Sequence, residues 1–196
     1  GLMLHLNPLQ EALQPEGQTQ FAGLAKKIEQ ICRQIEVPVI AKEVGWGIDV
    51  ATAGRLLSLG VAAVDVAGAG GTSWSQVEKY RRRDESGYRI AEMFIDWGIP
   101  TAECIEEIRN EYPDMPLIAS GGISNGVEGA KAIALGANLF GIARPFLIAA
   151  KNGTGTVIES IKEIHKTLII TMFAAGAADL KALSKITLIQ RRHGSR

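Results

Sequence analysis

The sequence predicts a parallel α/β fold of the (β/α)8, TIM-barrel, type, and three observations predict it. Short apolar runs alternate with amphipathic helical segments along the chain, the pattern of a parallel sheet with crossover helices. Each apolar run ends in a polar or glycine-rich cluster, which puts the chemistry at the C-terminal ends of the strands. No GxGxxG follows the first run, which sets the chain apart from a dinucleotide-binding Rossmann sheet.

Composition narrows the functional classes. The 196 residues are 46% hydrophobic and 21% charged, enough for one soluble globular domain with a sizeable core. The 21 basic and 21 acidic side chains give a net charge of zero, which argues against field-driven binding of nucleic acid or of an anionic membrane surface. No run approaches the roughly 18 apolar residues of a membrane span, and no secretory signal is read, so a cytoplasmic setting is expected. Cys32 and Cys104 belong to no CxxC or Cys/His pattern, so neither a disulfide framework nor a zinc site is expected. Cys32 falls on the apolar face of a helix and reads as a small core residue.

The elements follow in order. Leu2-Met3-Leu4 is the first strand, and it ends in His5-Leu6-Asn7-Pro8-Leu9-Gln10-Glu11. Phe21 to Ile35 reads as a helix, since Phe21, Leu24, Ala25, Ile28, Ile31, Cys32 and Ile35 recur at spacings of three and four. Val39-Ile40-Ala41 is a strand apolar on both faces, which points to a parallel sheet covered by helices. Asp49 is the N-cap of a helix that runs to Gly60. Ala62 to Val66 is the third strand, and it runs into Ala67-Gly68-Ala69-Gly70-Gly71-Thr72-Ser73-Trp74. The polar stretch Lys79-Tyr80-Arg81-Arg82-Arg83-Asp84-Glu85 reads as a solvated loop, because acidic neighbours balance its basic run. A helix from Thr101 to Tyr112 precedes the strand Pro116 to Ala119, which ends in Ser120-Gly121-Gly122-Ile123-Ser124-Asn125-Gly126. A helix over Val127 to Leu135, a strand over Asn138 to Ile142 and the turn Ala143-Arg144-Pro145-Phe146 follow. A long helix from about Thr154 to Ala175 and a shorter one complete residues 1–190, and 191–196 read as a disordered basic tail.

That makes five strands, whereas a closed barrel of this type has eight. Barrels build a phosphate site after strands seven and eight, which matches the last two clusters. Counting back from there, the expectation is that the chain holds strands four to eight, that the first three are not in it, and that two sheet edges stand open.

The strand ends supply the candidate site. Gly121-Gly122 lets the backbone approach an anion, and its amides, with those of the helix that follows, could cradle a phosphate joined by Arg144. Lys42 ends an apolar strand: it reads either as the partner of a carboxylate such as Glu43 or Asp65, or as a cation facing an anion or an electron-rich ring. Thr72 and Ser73 are hydroxyls at the same rim, and Trp74 either lines a pocket or packs under the loop. Gln10 and Glu11 sit on what reads as an irregular segment. There a lone carboxylate suits Mg2+ beside a phosphate-bearing substrate, and an amide can orient a ligand with few polar handles. The alternative is that both cap the next turn.

Together these stretches resemble the FMN-dependent type 2 isopentenyl diphosphate isomerases. The run His5 to Glu11, continuing through Gln14-Pro15-Glu16-Gly17, looks like that family's central signature. Pro38 to Gly45, Asp65 to Trp74, Trp97-Gly98-Ile99-Pro100-Thr101, Ser120 to Ile123 and Ala143 to Phe146 are similar to its later motifs, in the same order. The resemblance implies isomerisation of isopentenyl diphosphate to dimethylallyl diphosphate, with FMN reduced by NAD(P)H acting as acid/base and Mg2+ on the diphosphate. It implies Gln10 as the catalytic residue beside the isoprenoid chain, substrate binding by His5 and Asn7 as well, and Glu11 on the metal. It places Lys42, Thr72, Gly121, Gly122, Ala143 and Arg144 on the flavin and its phosphate. It also implies a homo-oligomer. Two other readings stand beside it. One is a different FMN barrel, such as a hydroxy-acid oxidase or an inosine-phosphate-dehydrogenase relative. Those use a late histidine or a cysteine after strand six, and neither is matched, since His165 and Cys104 both fall in helices. The other is a catalytically incomplete half-barrel that needs a partner chain.

Overall fold

The computed structural model describes residues 1–189; the predicted tail at 191–196 lies outside them. The order is β1 (Leu2–His5), α1 (Pro8–Leu13), α2 (Leu24–Gln34), β2 (Val39–Lys42), α3 (Val50–Ser58), β3 (Ala63–Asp65), α4 (Trp74–Arg81), α5 (Glu85–Glu92), α6 (Thr101–Glu111), β4 (Leu117–Ala119), α7 (Gly126–Leu135), β5 (Leu139–Phe140), α8 (Arg144–Ala150), α9 (Thr154–Ala174) and α10 (Leu180–Leu183). The five strands form one sheet in the order β1-β2-β3-β4-β5, with every neighbour parallel. The order never reverses, so there is no topological switch point of the doubly wound kind.

The two faces of the sheet differ. Val39, Ala41, Val64, Val66, Leu117 and Ala119 point one way and are buried. They pack with Ile28 of α2, Ala53 and Leu56 of α3, Ile105 and Ile108 of α6, and Ala132 of α7 in one core. Full burial of Ile105, Ile108 and Leu117 stabilises by about 2 kcal/mol each. The opposite face carries Met3, His5, Ile40, Lys42, Ala63, Ile118 and Leu139, all exposed or half-buried. Helices on one face, with the other face open, is the geometry of a barrel wall. The interior side of such a wall is apolar too, so these strands read in sequence as buried on both sides.

Local signals explain most boundaries. Gly23, at φ +79, starts α2 three residues after Phe21. Asp49 caps α3, its side chain accepting from the Thr52 amide. Cys32 packs half-buried against the core. Cys104 is buried in α6, and burial pushes its thiol up to about 11, which leaves it unreactive. Among the described residues no helix is long and apolar enough to cross a membrane.

The polar stretch after β3 is a loop only over Arg82, Arg83 and Asp84; its two ends are helical, in α4 and α5. Lys79 is buried, its ammonium 4.9 and 5.0 Å from the Tyr80 and Tyr88 ring centroids. Arg81 bridges Glu78 at 2.8 Å and Glu16 at 2.5 Å, tying α4 to the segment after α1. Of that run only Lys79 is buried; Arg81, Arg83, Asp84 and Glu85 are exposed, as the sequence suggested.

Candidate functional site

Parallel pairing brings the strand ends together. His5 pairs in register with Lys42, and Lys42 with Asp65, so three polar side chains stand in one row on the open face, a strand spacing of about 4.8 Å apart. Beyond the ends of β2, β3, β4 and β5 lies a cavity of about 630 Å³. Lys42, Thr72, Gly121, Gly122, Ala143 and Arg144 all line it, as does Trp74. Four separate stretches of sequence thus meet in one place.

The glycines serve the protein first. Gly121 and Gly122 have φ of +96 and +83, values that favour glycine. A Cβ at Gly121 would strike the Gly68 carbonyl oxygen and lie 2.7 Å from the Gly68 nitrogen, and one at Gly122 would lie 2.6 Å from the Gly70 oxygen. The loops after β3 and β4 therefore pack backbone to backbone. Thr101 ties them together: its amide donates to the Ala69 carbonyl at 3.2 Å, and its one hydroxyl hydrogen is shared between the carbonyls of Gly121 at 2.7 Å and Ser120 at 3.1 Å.

The expected role of the helix after Gly121-Gly122 needs correction. At the start of α7 the Asn125 side chain accepts from the amides of Val127 and Glu128 at 3.0 Å each, and Thr167 takes the Gly126 amide. That terminus is already satisfied and cannot cradle a phosphate. The amides of Gly121, Gly122, Ile142 and Ala143, by contrast, have no acceptor among the described residues, and all four residues line the cavity. All four residues are exposed or half-exposed at the cavity, so their amides remain open to donate to a ligand, and an anion suits such a set.

The substrate-side candidates are arranged differently. His5, Asn7 and Glu11 do not line that cavity; they line a separate groove of about 480 Å³ against α2, with no lining residue in common. Gln10 and Glu11 lie on the helix α1, not on an irregular segment. Glu11 accepts from Asn7 Nδ2 at 3.1 Å and from the Gln18 amide at 2.7 Å, and the Gln18 bond above all holds its carboxyl below the usual range. Gln10 lines neither space; its Nε2 donates to Glu78 Oε1 at 3.1 Å. Glu78 is fully buried one turn after Trp74. Sequence reasoning missed Glu78 because it directly precedes the charged run Lys79 to Glu85 and carries no apolar signal of burial.

A family model described as FMN-dependent dehydrogenase matches residues 9–190. The chain belongs to the FMN-dependent dehydrogenase family. It is similar to an isopentenyl-diphosphate delta-isomerase of Vibrio campbellii, 51% identical over 184 residues, which are 94% of this chain and 54% of that protein. It is also similar to one of Synechococcus sp., 52% identical over 184 residues, 94% of this chain and 53% of that protein. The chain thus spans about half the length of the curated relatives it matches. Among solved structures, a mandelate oxidase with benzoyl-formic acid aligns with a TM-score of 0.62 at 21% identity, over 82% of this chain and 42% of that one. A protein described as a lactate oxidase of Pediococcus acidilactici aligns with a TM-score of 0.65 at 22% identity, over 86% and 41%. At that identity the likeness shows a shared fold.

For a member of the FMN-dependent dehydrogenase family, the donor set of the cavity can be tested against FMN. Unpaired amides stand on two adjacent loops, Arg144 supplies a guanidinium, Lys42 an ammonium and Thr72 a hydroxyl, in a space within the usual range for cofactor sites. These residues fit a phosphate joined to a polar ring system. For Mg2+, no group of three or more His, Cys, Asp or Glu occurs among the described residues. Glu11 fits only as a single carboxylate that shares the ion with a ligand's phosphates.

Glu43, beside Lys42, is buried and holds the following loop: its Oε2 accepts from the amides of Val44, Gly45 and Trp46 at 2.6 to 2.7 Å. Burial pushes its carboxyl up despite those bonds. A carboxyl raised on folding contributes stability below its unfolded pKa, near 4.5, and loses it as pH rises through the folded value. Glu43→Gln keeps an acceptor for the three amides and removes the titration. The variant should therefore gain stability relative to the parent as pH rises above 4.5, read as urea midpoints between pH 4 and 8. A parallel pH dependence in both proteins would refute it.

Proposed function

We propose that this protein shifts the double bond of isopentenyl diphosphate to give dimethylallyl diphosphate, with FMN, reduced by NAD(P)H, supplying the acid/base chemistry. The five strands act as strands four to eight of a (β/α)8 barrel, in a cytoplasmic homo-oligomer. The carrying observation is that six residues from four stretches meet in one cavity with unpaired amides, in a chain whose curated relatives bear the isomerase name.

The residues divide the work. The amides of Gly121, Gly122 and Ala143, with the Arg144 guanidinium, would hold the cofactor's phosphate, and Lys42 and Thr72 would contact its ring. His5 and Asn7 bind the substrate. Glu11, kept ionised by the Gln18 amide, helps hold Mg2+ on the diphosphate. Gln10 would have to face the hydrocarbon from α1, although it lines neither space; donation to Glu78 fixes which way its amide faces and leaves its carbonyl oxygen to orient a proton shift. An allylic isomerisation needs a placed acid/base and no nucleophile, which fits a site without an activated serine or cysteine.

Protein incubated with FMN, NADPH, Mg2+ and isopentenyl diphosphate should form dimethylallyl diphosphate, and omission of FMN or NADPH should stop it. Oxidation of a 2-hydroxy acid instead, with no isomerisation, would replace this reading with that of an oxidase.

A further inference from the structure

Lys42 does not stand alone in the cavity. Its Nζ donates to the Glu43 carbonyl at 2.9 Å and to Ser120 Oγ at 3.2 Å, and it lies 3.6 Å from Asp65 Oδ2. Ser120 Oγ in turn donates to Asp65 Oδ1 at 2.7 Å, and that oxygen also takes the Ala67 amide at 3.3 Å. The single hydroxyl hydrogen of Ser120 is used on Asp65, so the lone pairs of Oγ are what Lys42 meets. The result is a directed chain from ammonium to hydroxyl to carboxylate, spanning the ends of β2, β3 and β4.

Exposure separates the roles. The Asp65 side chain is 5% exposed and the Lys42 side chain 22%. The carboxylate is walled off by protein, while the ammonium reaches the cavity with one N–H not taken by a hydrogen bond among the described residues. A lysine on its flexible four-carbon stem has no fixed place of its own. Here two strands beyond its own give it one. Ala67, next to this chain, is held at φ +37, the one non-glycine residue with positive φ among the described residues. Backbone strain of this kind is retained where the surroundings fix it.

We infer that Asp65 and Ser120 are positioning residues for Lys42: they set the ammonium at one point of the cavity, where it meets the part of the bound flavin that gains negative charge on reduction. The inference rests on the FMN reading and goes beyond it, by assigning to two residues that touch no ligand the tuning of the flavin's potential. A cation held against the ring favours the reduced form. An ammonium freed to swing into water favours it less.

Two variants separate positioning from simple electrostatics by sign. Ser120→Ala is neutral and breaks the chain, so the midpoint potential of bound FMN should fall toward that of Lys42→Met, with FMN affinity weakened about tenfold. Asp65→Asn removes a negative charge. If Asp65 acted only through its field the potential would rise, whereas a positioning role makes it fall because Lys42 is released. Ser120→Thr retains the hydroxyl and should restore the parent potential. Spectroelectrochemical titration of the parent and the four variants, with thermal unfolding to confirm that each is folded, reads this. A rise in Asp65→Asn, or a parent-like potential in Ser120→Ala beside a lowered one in Lys42→Met, would overturn the positioning role while leaving the FMN site intact. Failure of the parent protein to bind FMN would take down the site reading, and this inference with it.

Discussion

Gly121→Ala should destabilise the protein by about 3 kcal/mol and abolish tight flavin binding together. Two costs add. A non-glycine residue in the left-handed region costs about 1 kcal/mol or more, and an extra carbon in a packed position about 1–3 kcal/mol. At Gly121 the new Cβ meets backbone atoms of Gly68 and the Thr101 hydroxyl, and neither neighbour is the far end of a flexible side chain. Relief would separate the loops after β3 and β4, both of which line the cavity, and would break the Thr101 bonds. Gly153 supplies the control. Its φ is +103, yet a Cβ there meets nothing within 4 Å. Gly153→Ala should therefore show only the dihedral cost, with FMN binding retained. Urea unfolding and flavin fluorescence quenching of both variants measure the difference, and equal losses would show that the loop contact carries no weight.

Lys42→Met should weaken FMN binding about a hundredfold and remove the proposed isomerase activity, at a stability cost of about 2 kcal/mol. The stability part comes from the partner left behind. Breaking a fully buried ion pair costs about 3–5 kcal/mol; here Ser120 and the Ala67 amide still serve Asp65, and Lys42 is partly exposed, so the figure is smaller. The double variant Lys42→Met/Asp65→Asn should recover the stability and not the binding. A double variant that recovered both would place the contribution of Lys42 in the fold rather than in the ligand.

The parallel α/β succession was legible because each strand is a short apolar run closed by a polar cluster, and each helix shows its three-four spacing. What was not legible depends on pairs distant in sequence. Ile40, Ala63 and Ile118 are apolar on the face that no helix among the described residues covers, so the strands alone do not tell the open face from the covered one. Lys42, Asp65 and Ser120 become a chain only through the registers of β2, β3 and β4, which one sequence does not display; Asp65 surfaced merely as a possible partner for the lysine. Glu78 and Lys79 were masked by their charge, since burial through ion pairs and aromatic rings leaves no periodic trace. The closed start of α7 could have been read from Asn125 with Glu128 three residues on, a capping pattern that competes with an anion for the same amides. All six flavin-side candidates came together because strand ends in a parallel sheet share one rim. The substrate-side group divided between a groove and a helix contact because α1 turns Gln10 toward α4 and Glu11 toward Gln18.

Comparing FMN with riboflavin tests the central claim most directly. If the amides of Gly121, Gly122 and Ala143 with Arg144 form a phosphate cradle, fluorescence titration should show one FMN per chain, bound about a hundredfold tighter than riboflavin, which lacks the phosphate. Equal affinity for the two flavins, or binding of neither, would contradict it.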